Sequence, residues 1–414
     1  MINYLIPLTI TCLFLPFKTQ FGPVQVRPFD AMVVILLLVS VPQIRLMFRT
    51  KISIGLLFIV AFLTIHVLSA FSYTGVNGLR ELLQASLVLM LAFLIHFHSE
   101  RLDFEKAGRV LLIGCITVMA FNIIWHVGNG FWSGWKRLLD PKALFTLLPM
   151  LLGLFLIFSH REQRQIYWLL WFVVGLAVFL SGERKALLAF LILSVSFFGR
   201  GQLRTMVPLV VVGLLALSIV SDLTNNRYLA RQLDSVLNPS LTQLSLGAMA
   251  EGYSPTSMSN ASREFQIRQS AEFISKYPLF GVGTNAYTDI VNMRFASLPK
   301  YLRAGVHNEF LRVLVENGLV GFLIYLSLWL VSIARVSRLM AYMTRQRIID
   351  RTRARLFIVT AYIPSLFYVS FEASGTRVIM IGVVVSLLPD LLRTAYLRRR
   401  HLGFHANPRT ELVA

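Results

Sequence analysis

Apolar positions in this chain run in blocks as long as a membrane crossing, not in alternation with polar ones. Stretches nearly free of charge recur near 2–17, 29–43, 52–71, 80–98, 107–125, 142–159, 165–181, 185–199, 204–221, 313–334, 356–371 and 377–392. Blocks of about 18 or more such residues read as membrane-spanning helices. The shorter blocks fit tilted or interrupted helices. The pattern predicts an all-α integral membrane protein with about twelve transmembrane helices. The chain then divides into helices one to nine over 1–221, a large partly helical loop over 222–312, helices ten to twelve over 313–394, and a basic tail over 395–414.

Basic residues orient this bundle, because Lys and Arg in short loops mark the cytoplasmic side. Arg45, Arg49 and Lys51 lie between spans two and three, and Arg101, Lys106 and Arg109 between four and five. Arg161 and Arg164, then Arg200 and Arg204, mark two further loops of the same parity. Arg335, Arg338, Arg345, Arg347, Arg351, Arg353 and Arg355 crowd the stretch between spans ten and eleven. All fall on one face if both termini are cytoplasmic, which puts the 222–312 loop between spans nine and ten in the periplasm. The start, "MINYLIPLTITCLFLPFKT", has no basic region and no small-residue cleavage site, so it is expected to remain as a first helix.

Composition agrees with the pattern: 414 residues, 56% hydrophobic, 14% charged, mean hydropathy +0.66. The net charge of +20 could suggest nucleic acid, but it is spread over loops between apolar helices. Anionic membrane lipids are the expected partner of this charge, and no nucleic acid is expected. Cys12 and Cys115 both lie in apolar runs and suit packing, not a disulfide framework.

Candidate chemistry gathers on the outer face. "AGVHNEFLRVLVENGLVGFLIYL" (304–326) opens a span with His307, Asn308, Glu309, Arg312 and Glu316. Placed on a helix, His307 would share a face with Phe310 and Leu311 and point inward, while Glu309, Arg312 and Glu316 would pair on another face. Arg184 opens span eight in "LSGERKALLAF", and Arg263 opens "SREFQIRQSAEFISK", a partly amphipathic segment expected to lie at the interface or cap a cavity. Basic residues on this face are not needed for topology, and ionisable groups at a membrane domain are costly. Lys185, Arg303, Asn308 and Arg377 are further candidates for substrate contact. The "GVG" at 281–283 follows no strand, so a dinucleotide fingerprint is not supported.

Guanidinium groups near one His suit a dianionic substrate. Arg forks bind phosphate oxygens bidentately, and preorganised positive charge meets the charge that develops on a departing diphosphate. A His can take the proton of an attacking hydroxyl. The sequence holds no D-x-D pair and no His/Cys/Asp cluster at metal spacing, so neither a metal nor a cofactor is expected. Outside the cytoplasm a glycosyl donor has to be lipid-linked.

The stretches "LSGERKALLAF", "SNASREFQIRQSAEFISKYPLFGVGTNAY" and "HNEFLRVLVENGLVGFLIYL" together resemble the O-antigen ligase and O-antigen polymerase superfamily. The shared features are an Arg before an apolar span, an Arg opening a periplasmic helix that ends in "PLxGxG", and "HN" followed by "FL" and "ENGLxG". The resemblance implies an inverting, metal-independent glycosyltransferase of the bacterial inner membrane that uses an undecaprenyl-diphosphate-linked glycan on the periplasmic face. By carry-over, Arg184 and Arg263 would hold the diphosphate and His307 would activate or orient the acceptor hydroxyl. The second basic residue in "SGERK" leaves open whether Arg184 or Lys185 makes the phosphate contact, with Arg184 favoured. A ligase acting on lipid A–core is favoured over an O-antigen or exopolysaccharide polymerase extending a second lipid-linked glycan. A flippase or secondary transporter is the alternative of another class, but no related halves are visible in the chain.

Overall fold

The computed structural model describes residues 1–15, 19–21, 24–43, 52–71, 75–128, 144–158, 161–180, 184–197, 255–299, 302–303, 305–371 and 387–394. The helices are α1 (Ile2–Cys12), α2 (Pro28–Ser40), α3 (Ile54–Phe71), α4 (Gly75–His98), α5 (Phe104–Gly128), α6 (Leu144–Phe158), α7 (Arg161–Leu180) and α8 (Arg184–Phe197). Then follow α9 (Pro255–Lys276), α10 (Ala286–Arg294), α11 (Glu309–Arg345), α12 (Arg351–Phe371) and a short α13 (387–394). Helices therefore cover the first eight apolar blocks, the tenth and the eleventh. The ninth block, 204–221, and the first ten residues of the twelfth lie outside the described residues.

Among the described residues, two helices are long and apolar enough to cross a membrane, over Phe104–Trp125 and Glu309–Arg345. Shorter apolar helices, such as those over Ile54–Ser69 and Leu147–Phe158, accompany them. One departure from an all-helical reading is a small antiparallel hairpin, β1 (Thr19–Phe21) with β2 (Val24–Val26), in which Gln20 faces Gln25. Strands of three residues are too short to show an alternating pattern, so they are not legible in the sequence.

The helical bundle packs around one apolar core that includes Trp171, Trp329, Tyr325 and Phe357. α1 lies against α5 and α2, α3 against α4 and α11, and α12 against α6, α8 and α11. Small residues let helices approach closely. A Cβ at Gly114 of α5 would fall 2.6 Å from the Thr11 hydroxyl of α1, and one at Gly153 of α6 would fall 2.5 Å from the Thr360 methyl of α12.

A second, smaller core builds a lobe from α9, α10, the 295–308 connection and the first turns of α11. Phe265 and Phe273 of α9 are buried there with Tyr287, Val291, Leu302, Val306 and Val315. Phe265 and Phe273 of α9 are thus covered by the lobe itself, while Ile267 on the same helix stays 59% exposed.

The lobe is joined to α11 by a splice of backbone hydrogen bonds. α11 breaks at Gly318, whose φ of 66° and ψ of −170° are not helical. In an unbroken helix the Leu319 and Val320 N–H groups would donate to the Val315 and Glu316 carbonyls. Here they donate to Pro278 O at 2.8 Å and Leu279 O at 3.2 Å. The vacated Val315 and Glu316 carbonyls accept instead from Val282 N at 2.9 Å and Gly283 N at 3.0 Å. The "PLFGVG" turn is therefore inserted into the ladder of the "ENGLVG" helix. Both glycines at the crossing are required by space as well as by conformation. A Cβ on Gly281 (φ 72°) would lie 2.5 Å from the Glu316 backbone, and one on Gly318 would lie 2.2 Å from Leu279 O.

α11 also starts before and ends beyond the apolar block 313–334. Its last turns carry Arg335, Arg338 and Arg345, because Arg is a good helix former once the apolar run ends. The basic connection to α12 shrinks to 346–350, and Arg335 pairs with Asp390 of α13.

Candidate functional site

The N-terminus of α11 organises the site. Asn308 caps it: its side-chain oxygen accepts from Leu311 N at 2.9 Å, leaving an acidic Glu309 in the first turn. The helix begins after His307, so His307 does not share a helical face with Phe310 and Leu311. It stands outside the helix with its side chain exposed, and the residues that turn inward are Glu309 and Arg312.

Those inward residues form a buried ionic cluster. The Arg312 guanidinium donates through Nε to Glu309 Oε2 at 2.8 Å and through Nη2 to Glu309 Oε1 at 2.6 Å. Its Nη1 lies 3.6 Å from Glu316 Oε2. The pairing expected from their spacing is present, in a fork geometry that a buried carboxylate needs.

His307 is tied to α9 through its backbone. Its N–H donates to the Gln266 side-chain oxygen at 3.2 Å. Gln266 is buried, and its amide nitrogen donates to the Ser262 hydroxyl at 3.0 Å. The Tyr287 hydroxyl reaches the Gln266 carbonyl at 3.5 Å, and burial raises that phenol above its ordinary range so that it stays a donor. One turn of α9 therefore holds the His307 loop with Gln266 while presenting Arg263, next to Ser262, to solvent. Arg263 and His307 are brought to the same part of the lobe by this turn.

The other candidates are placed differently. Arg303 is committed within the lobe: Nε donates to Leu298 O at 2.9 Å and Nη1 to Asn292 Oδ1 at 3.1 Å, which ties it to α10 and to the backbone at Leu298. Asn308 serves as the cap. Arg184 and Lys185 open α8, which packs on α6, α7 and α12, and their side chains lie outside the described residues, as does Arg377.

A polar bracket between lobe and bundle went unread in the sequence. The Thr284 hydroxyl donates to His66 O at 2.7 Å and accepts from Asn317 Nδ2 at 2.9 Å. The Ser69 hydroxyl donates to Glu316 O at 2.9 Å. His66 and Ser69 belong to α3, so this bracket docks the lobe onto the bundle. His66 in the otherwise apolar "LFIVAFLTIHVLSAF" was the available signal, since an ionisable residue in such a run rarely lacks a purpose.

Residues 168–326 match the family model described as O-antigen ligase. That segment is thus similar to the O-antigen ligase and polymerase superfamily. The O-antigen ligase segment runs from α7 into α11 and contains Arg184, Arg263, both halves of the backbone splice, and His307. Members of this superfamily are integral to bacterial membranes, in keeping with the apolar helices here. A search of curated proteins finds no match.

Proposed function

We propose that the protein moves a glycan from undecaprenyl diphosphate to a lipid A–core acceptor on the periplasmic face of the bacterial inner membrane. The observation that carries this reading is the exposed His307, fixed through Gln266 to the turn of α9 that presents Arg263, within the segment matching O-antigen ligase. Arg263 and Arg184 receive the diphosphate, with Lys185 beside them. The acceptor hydroxyl oxygen attacks the anomeric carbon as its proton passes to His307. The bond from that carbon to the diphosphate oxygen breaks with inversion, and undecaprenyl diphosphate leaves as the anion that the guanidinium groups stabilise. No metal is needed in this scheme, because fixed guanidinium charge does the work a divalent cation does elsewhere.

The test offers purified protein a lipid-linked glycan with either lipid A–core or a second lipid-linked repeat, in excess EDTA, beside His307→Ala and Arg263→Ala. Transfer to lipid A–core that persists in EDTA and is lost in both variants is the expected result. Extension of the second lipid-linked repeat would make the protein a polymerase using the same donor site. Full activity in both variants would remove His307 and Arg263 from the chemistry, and inhibition by EDTA would overturn metal independence.

A further inference from the structure

The splice leaves an apolar tip uncovered. Tyr277, Leu279 and Phe280 are 52%, 56% and 68% exposed, although three large apolar side chains in one turn are the kind a folded lobe ordinarily buries. Their position is fixed by the two bonds that Pro278 and Leu279 accept from Leu319 and Val320. The tip therefore sits beside the first turn of α11 after its break. Leu319, Leu323 and Leu330 continue from there as exposed apolar positions on the same side of α11. A tip belonging only to the aqueous lobe would not run without interruption into the outward stripe of a membrane-length helix.

We propose that the Tyr277–Phe280 tip inserts into the outer leaflet of the bilayer, with Leu279 and Phe280 among the lipid acyl chains and Tyr277 at the headgroup level. At about 1.5 Å of rise per residue, Leu330 lies roughly 16 Å further along α11 than Leu319. Arg335 ends the apolar run about 24 Å beyond Leu319, so with Arg335 at the inner edge of a hydrocarbon core about 30 Å thick the tip falls roughly 6 Å inside the outer boundary. Aromatic residues are favoured near that boundary, and the phenol of Tyr277 can stay hydrated while its ring does not. This inference rests on α11 being a membrane span, and not on the identity of the glycan or its acceptor.

Spin-label accessibility tests it on the full chain in lipid nanodiscs. Cys12→Ser and Cys115→Ala clear the background, and single labels are placed through Leu279→Cys, Phe280→Cys, Leu330→Cys and Met293→Cys. Met293 is 68% exposed on α10 and serves as the aqueous reference. Labels at 279, 280 and 330 are expected to collide more with dissolved oxygen than with a water-soluble nickel chelate, and the label at 293 to show the reverse. If the label at 280 meets the chelate as often as the one at 293 while 330 stays in lipid, the tip is aqueous and the inference fails alone. Exclusion of both collision partners at 280 means that protein covers the tip, which also overturns it. Chelate access at 330 would remove the span reading, and the inference with it.

Discussion

Gly281 and Gly318 are each seated where the other's segment of backbone leaves no room for a side chain. A Cβ on Gly281 would meet the Glu316 carbonyl, and one on Gly318 would meet the Leu279 carbonyl. Both have positive φ, at 72° and 66°. Gly281→Ala and Gly318→Ala are therefore each expected to cost at least about 1–3 kcal/mol from backbone strain alone, and more from the clash. Gly305→Ala is the contrast, since its added methyl meets only the Thr288 hydroxyl, at 3.1 Å. Thermal unfolding in detergent should show a large drop for the first two variants and a small one for the third.

Gln266 is expected to act through His307. Gln266→Leu removes the acceptor of the His307 N–H bond without touching the imidazole. Misplacement of a reacting group by about 1 Å can cost up to ~100-fold in rate. The expected outcome is a fall of about 10–100-fold in kcat with KM for the lipid-linked donor little changed. Combined with His307→Ala it should cause no further loss, because two residues serving one function do not add. An additive loss in steady-state kinetics would mean that Gln266 only supports the lobe.

Arg312 predicts a stability effect instead of a chemical one. It is buried between Glu309 and Glu316, and removing it leaves two carboxylates without their counter-charge. Breaking a buried ion pair from one side costs about 3–5 kcal/mol. Arg312→Met should unfold well below wild type in a thermal scan, whereas replacing Glu309, Arg312 and Glu316 together by Leu should recover much of that loss.

The far end of the lobe supplies a pH prediction. Glu272 of α9 accepts from Lys276 at 2.8 Å and from Arg294 of α10 at 2.6 Å, and these two cations hold its carboxyl below the ordinary carboxylate range. A depressed pKa contributes stability that is present above the ordinary carboxylate range and lost as pH falls through the folded value. Solvent screens this pair, so the contribution is small. Wild type should melt slightly above Glu272→Gln at pH 7, and the gap should close in acid and in high salt.

Much of the architecture was legible because it is written in local runs. Ten apolar blocks correspond to helices, since burial of a long apolar stretch needs no partner to be recognised. The motifs around Arg184, Arg263, 278–283 and 307–321 led to the same superfamily that the match over 168–326 gives. The failures are tertiary. The glycines at 281 and 283 read only as part of a shared "PLxGxG" motif, because nothing in their neighbourhood says that 315–320 will accept them as a backbone partner. His307 was given a helical face since no periodicity reveals that Asn308, one residue on, takes the cap. Nothing in the sequence singles out Gln266, whose role lies in its two side-chain contacts, to Ser262 and to the His307 N–H. Arg303 looked free to meet a substrate, whereas Leu298 and Asn292 occupy it.

A glycine that breaks a long helix ordinarily makes a hinge. Gly318 cannot serve as one, because the turn from Pro278 to Gly283 takes up the four backbone groups that the break releases. The joint is stiff, and α11 carries the lobe as a rigid extension of itself. Any opening that admits a bulky glycan must then come from other helices moving away from α11, or from α11 tilting as one body. A tilt of about 5° over a helix of 37 residues, roughly 55 Å long, displaces one end by about 5 Å. The charged C-terminal end of α11 and the His307 loop are, in mechanical terms, the two arms of one lever.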